Sequence, residues 1–146
     1  HPPVPPFLTP TAAYALFYNN SATGATYAAG ENIAYQSTLY NTATADIVNN
    51  NGLITLSGGT TGKAYLVNYQ VTGETANDAT LALAINGTVD SNSEIIPNSA
   101  TGTSNGSYIV NVPANSTSTV ALRVVSGTVT TASPTVGSYL SVIRIA

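Results

Sequence analysis

Apolar residues alternate with small polar ones along most of the sequence, and this period of two constrains the fold more than any other feature. In the stretch KAYLVNYQV, the residues Tyr65, Val67, Tyr69 and Val71 fall on one face of an extended chain. Clusters such as NNSATG, SGGTTG and TGETAND interrupt the alternation at short intervals. Past the first ten residues no segment has a helical period, so the pattern predicts an all-β sandwich.

Eight segments between these turn signals are predicted strands. They are Ala12–Tyr18, Asn32–Tyr35, Gly52–Leu56, Ala64–Val71, Thr80–Ile85, Ser107–Val112, Thr119–Val125 and Ser138–Ile145. VNNNG, ATGTSNG and TASPTVG are predicted turns as well. The Asn86–Gly87 step predicts a tight hairpin, because both residues tolerate positive φ.

Two predicted strand faces bear on how the domain packs. In Thr80–Ile85, Ala82 and Ala84 share one side, and such a face can be covered by another sheet or another subunit. The tyrosine face of KAYLVNYQV leaves two alternatives open. It either lies where subunits meet or forms a core wall, with Leu66, Asn68 and Gln70 on the outside.

Charged residues are scarce, at 6% of the chain against about 25% in an average soluble domain. The net charge is −3 and the three basic residues, Lys63, Arg123 and Arg144, form no cluster. This argues against nucleic acid and anionic membranes as partners. Low charge weakens self-repulsion, which favours a protein that associates. No apolar run approaches the roughly 18 residues that cross a bilayer, and the lack of Cys excludes a disulfide framework.

The residues give little support to catalysis. His1 is the only histidine, so neither a Ser-His-Asp triad nor a histidine metal cluster can form within one chain. We expect no enzyme activity, no cofactor and no metal site. Asp90, Asn92 and Glu94 could offer oxygen ligands to a cation such as calcium, but DSNSE lacks the glycine and full ligand set of a dedicated loop, which favours a solvated turn. Four N-x-S/T sequons, relevant where the host attaches N-glycans, begin at Asn19, Asn86, Asn105 and Asn115.

The chain starts HPPVPPFLTP, with five prolines in ten residues. Proline fixes φ and removes a backbone donor, so we expect a polyproline II rod of about 30 Å. Residues 1–10 are the predicted extended connector, and residues 11–146 the predicted domain. A first residue other than Met is consistent with a processed product or with part of a longer chain.

The strand segments TAAYALFYNNS, GKAYLVNYQVTGE, ATLALAINGT and SYLSVIRIA together resemble the C-terminal heads of the collagen-like exosporium glycoproteins of Bacillus spores (BclA-type). The resemblance covers roughly residues 11–146. It implies a C1q/TNF-like jelly roll of two packed antiparallel sheets that assembles as a homotrimer.

The leader is similar to the proline-rich end of the exosporium leader of the same proteins, but no G-x-y collagen triplet follows it. This arrangement resembles the subunits of thin spore-appendage fibres, in which jelly-roll trimers stack and N-terminal peptides link each trimer to the preceding one. The resemblance implies a location on the spore surface and an exosporium anchor protein as a candidate partner. The implied assembly connector consists of Pro2, Pro3, Val4, Pro5, Pro6, Phe7 and Leu8.

Three functions compete at this stage. The first is a structural, self-assembling fibre subunit linked head-to-tail through the connector. The second is a terminal adhesion head whose loops, Ser91–Asn98 or Thr101–Gly106, contact a receptor or carbohydrate. The third, an enzyme, is disfavoured. The connector itself has an alternative role as a passive linker that proline merely keeps extended.

Overall fold

The computed structural model describes residues 13–21, 24–132 and 137–146. Within these ranges the chain forms ten strands and one short 3-10 helix, Ser91–Ser93. The strands are β1 (Tyr14–Tyr18), β2 (Thr26–Ala28), β3 (Ser37–Asn41), β4 (Ile47–Asn50), β5 (Leu53–Ser57), β6 (Lys63–Ile85), β7 (Thr88–Val89), β8 (Thr101–Val112), β9 (Thr117–Thr131) and β10 (Tyr139–Arg144). The all-β prediction is confirmed.

The strands form two layers joined by β6. The front sheet has the order β3-β1-β10-β6-β8, and the back sheet has the order β4-β5-β9-β6-β7. All of these neighbours are antiparallel. Residues 63–74 of β6 pair with β8 in the front sheet, and residues 80–85 pair with β9 in the back sheet. The layers therefore share one continuous strand at the end of the sandwich where β6 passes between them.

Two of the predicted turns, TGETAND and ATGTSNG, are wrong, because these segments belong largely to strands β6 and β8. TGETAND lies inside β6, where residues 73–76 pair with β9, and a bulge follows at Asn77 and Asp78. Both bulge residues have left-handed φ, 58° and 54°, which Asn and Asp tolerate better than other side chains. ATGTSNG belongs to β8 from Thr101 onward. The turn-forming residues in these segments are accommodated within paired strands.

The core lies between the two sheets. Both strand faces whose role the sequence left open, the tyrosine face of KAYLVNYQV and the alanine face of Thr80–Ile85, are buried. Tyr65, Val67, Tyr69 and Val71 are almost completely buried, so the tyrosine face of β6 is a core wall. Ala82 and Ala84 are also buried within one chain, and no second subunit is needed to cover them. The fully buried large side chains also include Phe17, Ile33, Tyr35, Ile47, Ile54, Leu56, Leu81, Leu83, Leu122 and Leu140.

The other differences from the predicted strands concern short elements. Asn32–Tyr35 is not a strand: Asn32 makes one bridge to Arg123, and Ile33 and Tyr35 enter the core from irregular backbone. Strands β2, β3, β4 and β7 were not predicted, since each has two to five residues and depends on a partner strand. The Asn86–Gly87 hairpin is confirmed, with φ of 52° and 82° at the turn between β6 and β7.

Candidate assembly surface

The predicted connector residues, Pro2 to Leu8, lie outside the described residues. The predicted ligand loops are placed, and only one of them is a loop. Thr101–Gly106 forms the first half of β8 and pairs with β6. Ser91–Asn98 begins with the 3-10 helix and continues through a bridge between Ile95 and Leu81.

The DSNSE segment has a structural role. The carboxylate of Asp90 accepts hydrogen bonds from the backbone N–H of Asn92 (3.0 Å) and from the hydroxyl of Tyr108 (2.8 Å). The bond to Asp90 is the main reason that the pKa of Tyr108 is raised. Both carboxylate oxygens thus serve the fold. In the part of the chain that the structure describes, no group of three or more His, Cys, Asp or Glu side chains could hold a metal ion.

The four sequons differ in their accessibility. Asn19 is 1% exposed, and its amide donates to the hydroxyl of Tyr27 (3.1 Å) and to the carbonyl of Ala34 (2.7 Å). A glycan would replace one of the two hydrogens on this nitrogen, so at least one of these bonds would be lost, and a buried nitrogen leaves no room for a sugar. Asn86, Asn105 and Asn115 are exposed.

The outer side of the front sheet presents a broad surface of uncharged side chains, here called the front face. It is built by residues that stand opposite one another on five neighbouring strands. Its members are Tyr14, Leu16, Tyr18, Ser37, Tyr40, Leu66, Asn68, Gln70, Asn105, Ser107, Ile109, Tyr139, Ser141 and Ile143. Strand alternation explains the arrangement, because the residues between these positions point into the core.

Large apolar side chains on the front face are open to solvent. Tyr14, Tyr40, Ile109 and Ile143 are 41%, 45%, 55% and 36% exposed. The rings of Tyr14 and Tyr40 meet edge to face, with centroids 5.6 Å apart. A contiguous group of exposed aromatic and aliphatic side chains is typical of interaction surfaces.

Paired charges are kept away from the front face. Asp46 accepts from Lys63 (2.9 Å) and from Arg144 (3.1 Å), which ties the turn before β4 to β6 and β10. Arg123 donates to the side chain of Asn32 and to the carbonyl of Gly87 on the back sheet. The front face can therefore be covered without removing a charge from water, a step that costs several kcal/mol per ion.

Comparisons with known proteins identify the fold. No protein-family model and no curated protein matches the sequence. Among solved structures, the chain is similar to the Eiger TNF of S. frugiperda, with a TM-score of 0.67, 12% identity and 92% of each chain covered. It is also similar to murine APRIL, with a TM-score of 0.59, 8% identity, and 90% of this chain and 99% of that one covered. The chain has a TNF-like jelly-roll fold.

The sequence alone gave only part of the front face. Alternation in β6 separated Leu66, Asn68 and Gln70 from the core positions. It could not show that β1, β3, β8 and β10 lie beside β6 and add their own outward residues, because strand order is a non-local property. The exposed tyrosines of β1 and the isoleucines of β8 and β10 were therefore missed.

In the described residues no helix is long and apolar enough to span a membrane.

Proposed function

We propose that this protein is a structural subunit that assembles with itself into homotrimers through the front face. The observation that carries the proposal is the composition of that face, in which exposed Tyr and Ile and half-buried Leu side chains stand beside amides and hydroxyls without a charge. Surfaces of this kind match the cores of protein–protein interfaces, where aromatic residues are enriched and charges depleted. The TNF-like jelly-roll fold supports the proposal, because it agrees with the sequence resemblance that implied a homotrimer.

We further propose that the trimers stack into a fibre on the surface of a spore, each joined to the preceding one by residues 1–10. The support for this step is the sequence resemblance of the leader and the absence of collagen triplets after it. Three connectors acting together would turn weak contacts into a durable joint. In this scheme an exosporium anchor protein receives the first trimer. The alternative is a terminal adhesion head, which the same experiments separate.

The trimer is tested by placing a charge on the front face. We expect the wild-type protein to sediment as a trimer at micromolar concentration and Ile143→Asp to sediment as a monomer, because assembly would bury the new carboxylate. Val48→Asp is the matched control, since Val48 is 49% exposed on the outer side of the back sheet. Circular dichroism checks that both variants fold. A monomeric wild type, or a trimeric Ile143→Asp, would overturn the proposal.

The connector is tested by deletion of residues 1–10 and by Phe7→Ala. A buried phenylalanine contributes roughly 1.5–3 kcal/mol by transfer, and truncation can cost more. We expect both variants to keep the thermal stability of the trimer but to form short fibres or none in electron micrographs, and Phe7→Tyr to fall between. Fibres of normal length from the truncated protein would show that the connector does not join the subunits. Discrete particles from the wild type would favour the adhesion head.

A further inference from the structure

The front face consists of three rows of side chains that cross the strands. The first row is entirely apolar or aromatic and runs Ile109–Leu66–Ile143–Tyr14. The second runs Ser107–Asn68–Ser141–Leu16–Tyr40, and the third Asn105–Gln70–Tyr139–Tyr18–Ser37. Apart from Ser37 at the β3 edge, the amide and serine side chains thus lie in one corner of the face, where β8, β6 and β10 carry the second and third rows.

This polar corner, made of Asn68, Gln70, Asn105, Ser107, Tyr139 and Ser141, lines a depression of about 360 Å³. Gly106, between Asn105 and Ser107 on β8, faces the core instead, where its missing side chain leaves room for the ring of Tyr69: an added Cβ would lie 2.7 Å from that ring. Few of the polar groups are satisfied within the chain. The Asn68 amide donates weakly to the Ser141 hydroxyl (3.3 Å) and the Gln70 amide donates to the carbonyl of Gly137 (2.7 Å). Among the described residues, the side chains of Asn105 and Ser107 have no hydrogen-bond partner.

A ring of three subunits needs two different contact patches on each subunit, because an isologous contact closes a dimer. The strand beside the polar corner offers the second patch. β8 is an edge strand of twelve residues, without a charge, a proline or a bulge in its pairing with β6. Such an edge has unpaired backbone groups and is normally covered or blunted. If the β8 edge of one copy packs on the front face of the next, β8 lies nearest the centre of the ring.

We infer that the polar corner lies at the three-fold axis of the trimer, where the amides and hydroxyls of the three copies hydrogen-bond to one another. The inference rests on the proposed trimer, and it assigns the number of subunits and their register to these hydrogen bonds. Covering Asn105 and Ser107 with an apolar surface would leave their polar groups without partners, which is unfavourable. The same groups from two other copies are available only in one arrangement. An isolated polar position in an apolar interface selects register and copy number in this way in coiled coils.

The position of the axis is tested by disulfide crosslinking, since the chain has no cysteine of its own. Ser107→Cys places one thiol at the polar corner, and Ser37→Cys places one on β3, at the opposite edge of the same face. After oxidation of the full chain we expect more than half of the Ser107→Cys chains to run as covalent dimers on non-reducing gels. Fewer than a tenth of the Ser37→Cys chains should do so. Equal yields, or the reverse order, would overturn the inference while the sedimentation result for the wild type stands.

The role in copy number is tested by removing the amides. In Asn68→Leu with Gln70→Leu, native mass spectrometry should show the trimer falling from nearly all of the assembled protein to less than half, with dimers and larger species in its place. Asn50→Leu on β4, an exposed amide of the back sheet, should leave the distribution unchanged. A double variant that stays wholly trimeric would overturn the inference. A wild type without trimers would instead contradict the proposed function itself.

Discussion

Tyrosine serves two purposes on the two sides of the front sheet. Tyr35, Tyr65 and Tyr69 are buried in the core, and each hydroxyl donates to a backbone carbonyl, of Gln70 (2.8 Å), Ser57 (2.6 Å) and Ser93 (2.7 Å) respectively. On the front face, Tyr14, Tyr18 and Tyr40 are exposed.

The comparison shows that the type of residue does not distinguish the core from the exposed front face, whereas the partner of its polar atom does. A buried hydroxyl must be satisfied inside the chain, and here the core tyrosines use theirs to hold loops and turns against the strands. An exposed tyrosine keeps its hydroxyl available for water or for another subunit, which is why tyrosine is common where proteins meet.

Alkali should unfold the domain through its buried tyrosines. Burial raises the pKa of Tyr65 to about 12, with Asp46 adding to the shift and Arg144 opposing it. Burial is also the main reason that the pKa values of Tyr35 and Tyr69 are raised. In the unfolded chain tyrosine ionises near pH 10. The free energy of unfolding is therefore unaffected by these groups below pH 10 and falls as the pH rises from 10 towards 12, because the unfolded chain loses its tyrosine protons first.

The titration is followed by absorbance at 295 nm together with far-ultraviolet circular dichroism. We expect the last tyrosines to ionise at the pH where the β-sheet signal disappears. Tyr65→Phe, which removes one ionisable hydroxyl, should narrow the gap in stability between pH 9 and pH 12. Complete ionisation of all tyrosines in a chain that stays folded would contradict the role assigned to the buried hydroxyls.

Truncation of a core tyrosine should cost far more than truncation of one on the front face. Tyr35 is fully buried, and loss of a buried aromatic side chain typically costs about 3–5 kcal/mol. We expect Tyr35→Ala to lower the free energy of unfolding by that amount in urea titrations. The measurement belongs in a background with Ile143→Asp, so that subunit dissociation does not contribute. In the same background Tyr18→Ala should cost less than about 1 kcal/mol, and equal losses at the two sites would remove the distinction.

Removal of a single hydroxyl tests how much the hydrogen bond of a buried tyrosine contributes to stability. Tyr69→Phe keeps the ring over Gly106 but leaves the carbonyl of Ser93 without its donor. A buried acceptor left unsatisfied costs about 1–3 kcal/mol. Tyr139→Phe removes a hydroxyl from the front face and should change the unfolding free energy of the monomeric background by less than about 0.5 kcal/mol. A Tyr69→Phe variant as stable as its parent would mean that the bond to Ser93 adds nothing to the fold.

The sequence predicted the faces of strands more reliably than their limits or neighbours. Alternation in KAYLVNYQV gave the correct core positions, because a period of two is a local property. It failed at residues 72–78, whose Gly, Asn and Asp favour a turn, because pairing with both β8 and β9 holds the segment extended and confines the irregularity to Asn77 and Asp78. It failed at Asn32–Tyr35 for the opposite reason, since an apolar run can enter a core without a strand partner. The front face needed strand order, which no local pattern contains.

The smallest effect concerns the ring pair on the front face. Tyr14 and Tyr40 meet edge to face, and aromatic pairs of this geometry couple by about 0.5–1.5 kcal/mol beyond the area they bury. A double-mutant cycle of Tyr14→Ala and Tyr40→Ala in the Ile143→Asp background should give a coupling near the lower end of that range, since both rings are partly in water. A second cycle of Tyr18→Ala and Tyr40→Ala is the control. The structure gives that pair no ring contact in the described part of the chain, so its effects should be additive.

The first cycle can be repeated by thermal melting of the assembled protein, without Ile143→Asp. There it should give a larger coupling than in the monomer, because covering the rings removes them from water. A coupling that does not grow on assembly would place the Tyr14–Tyr40 pair outside the contact and confine the interface to the strands nearer β8.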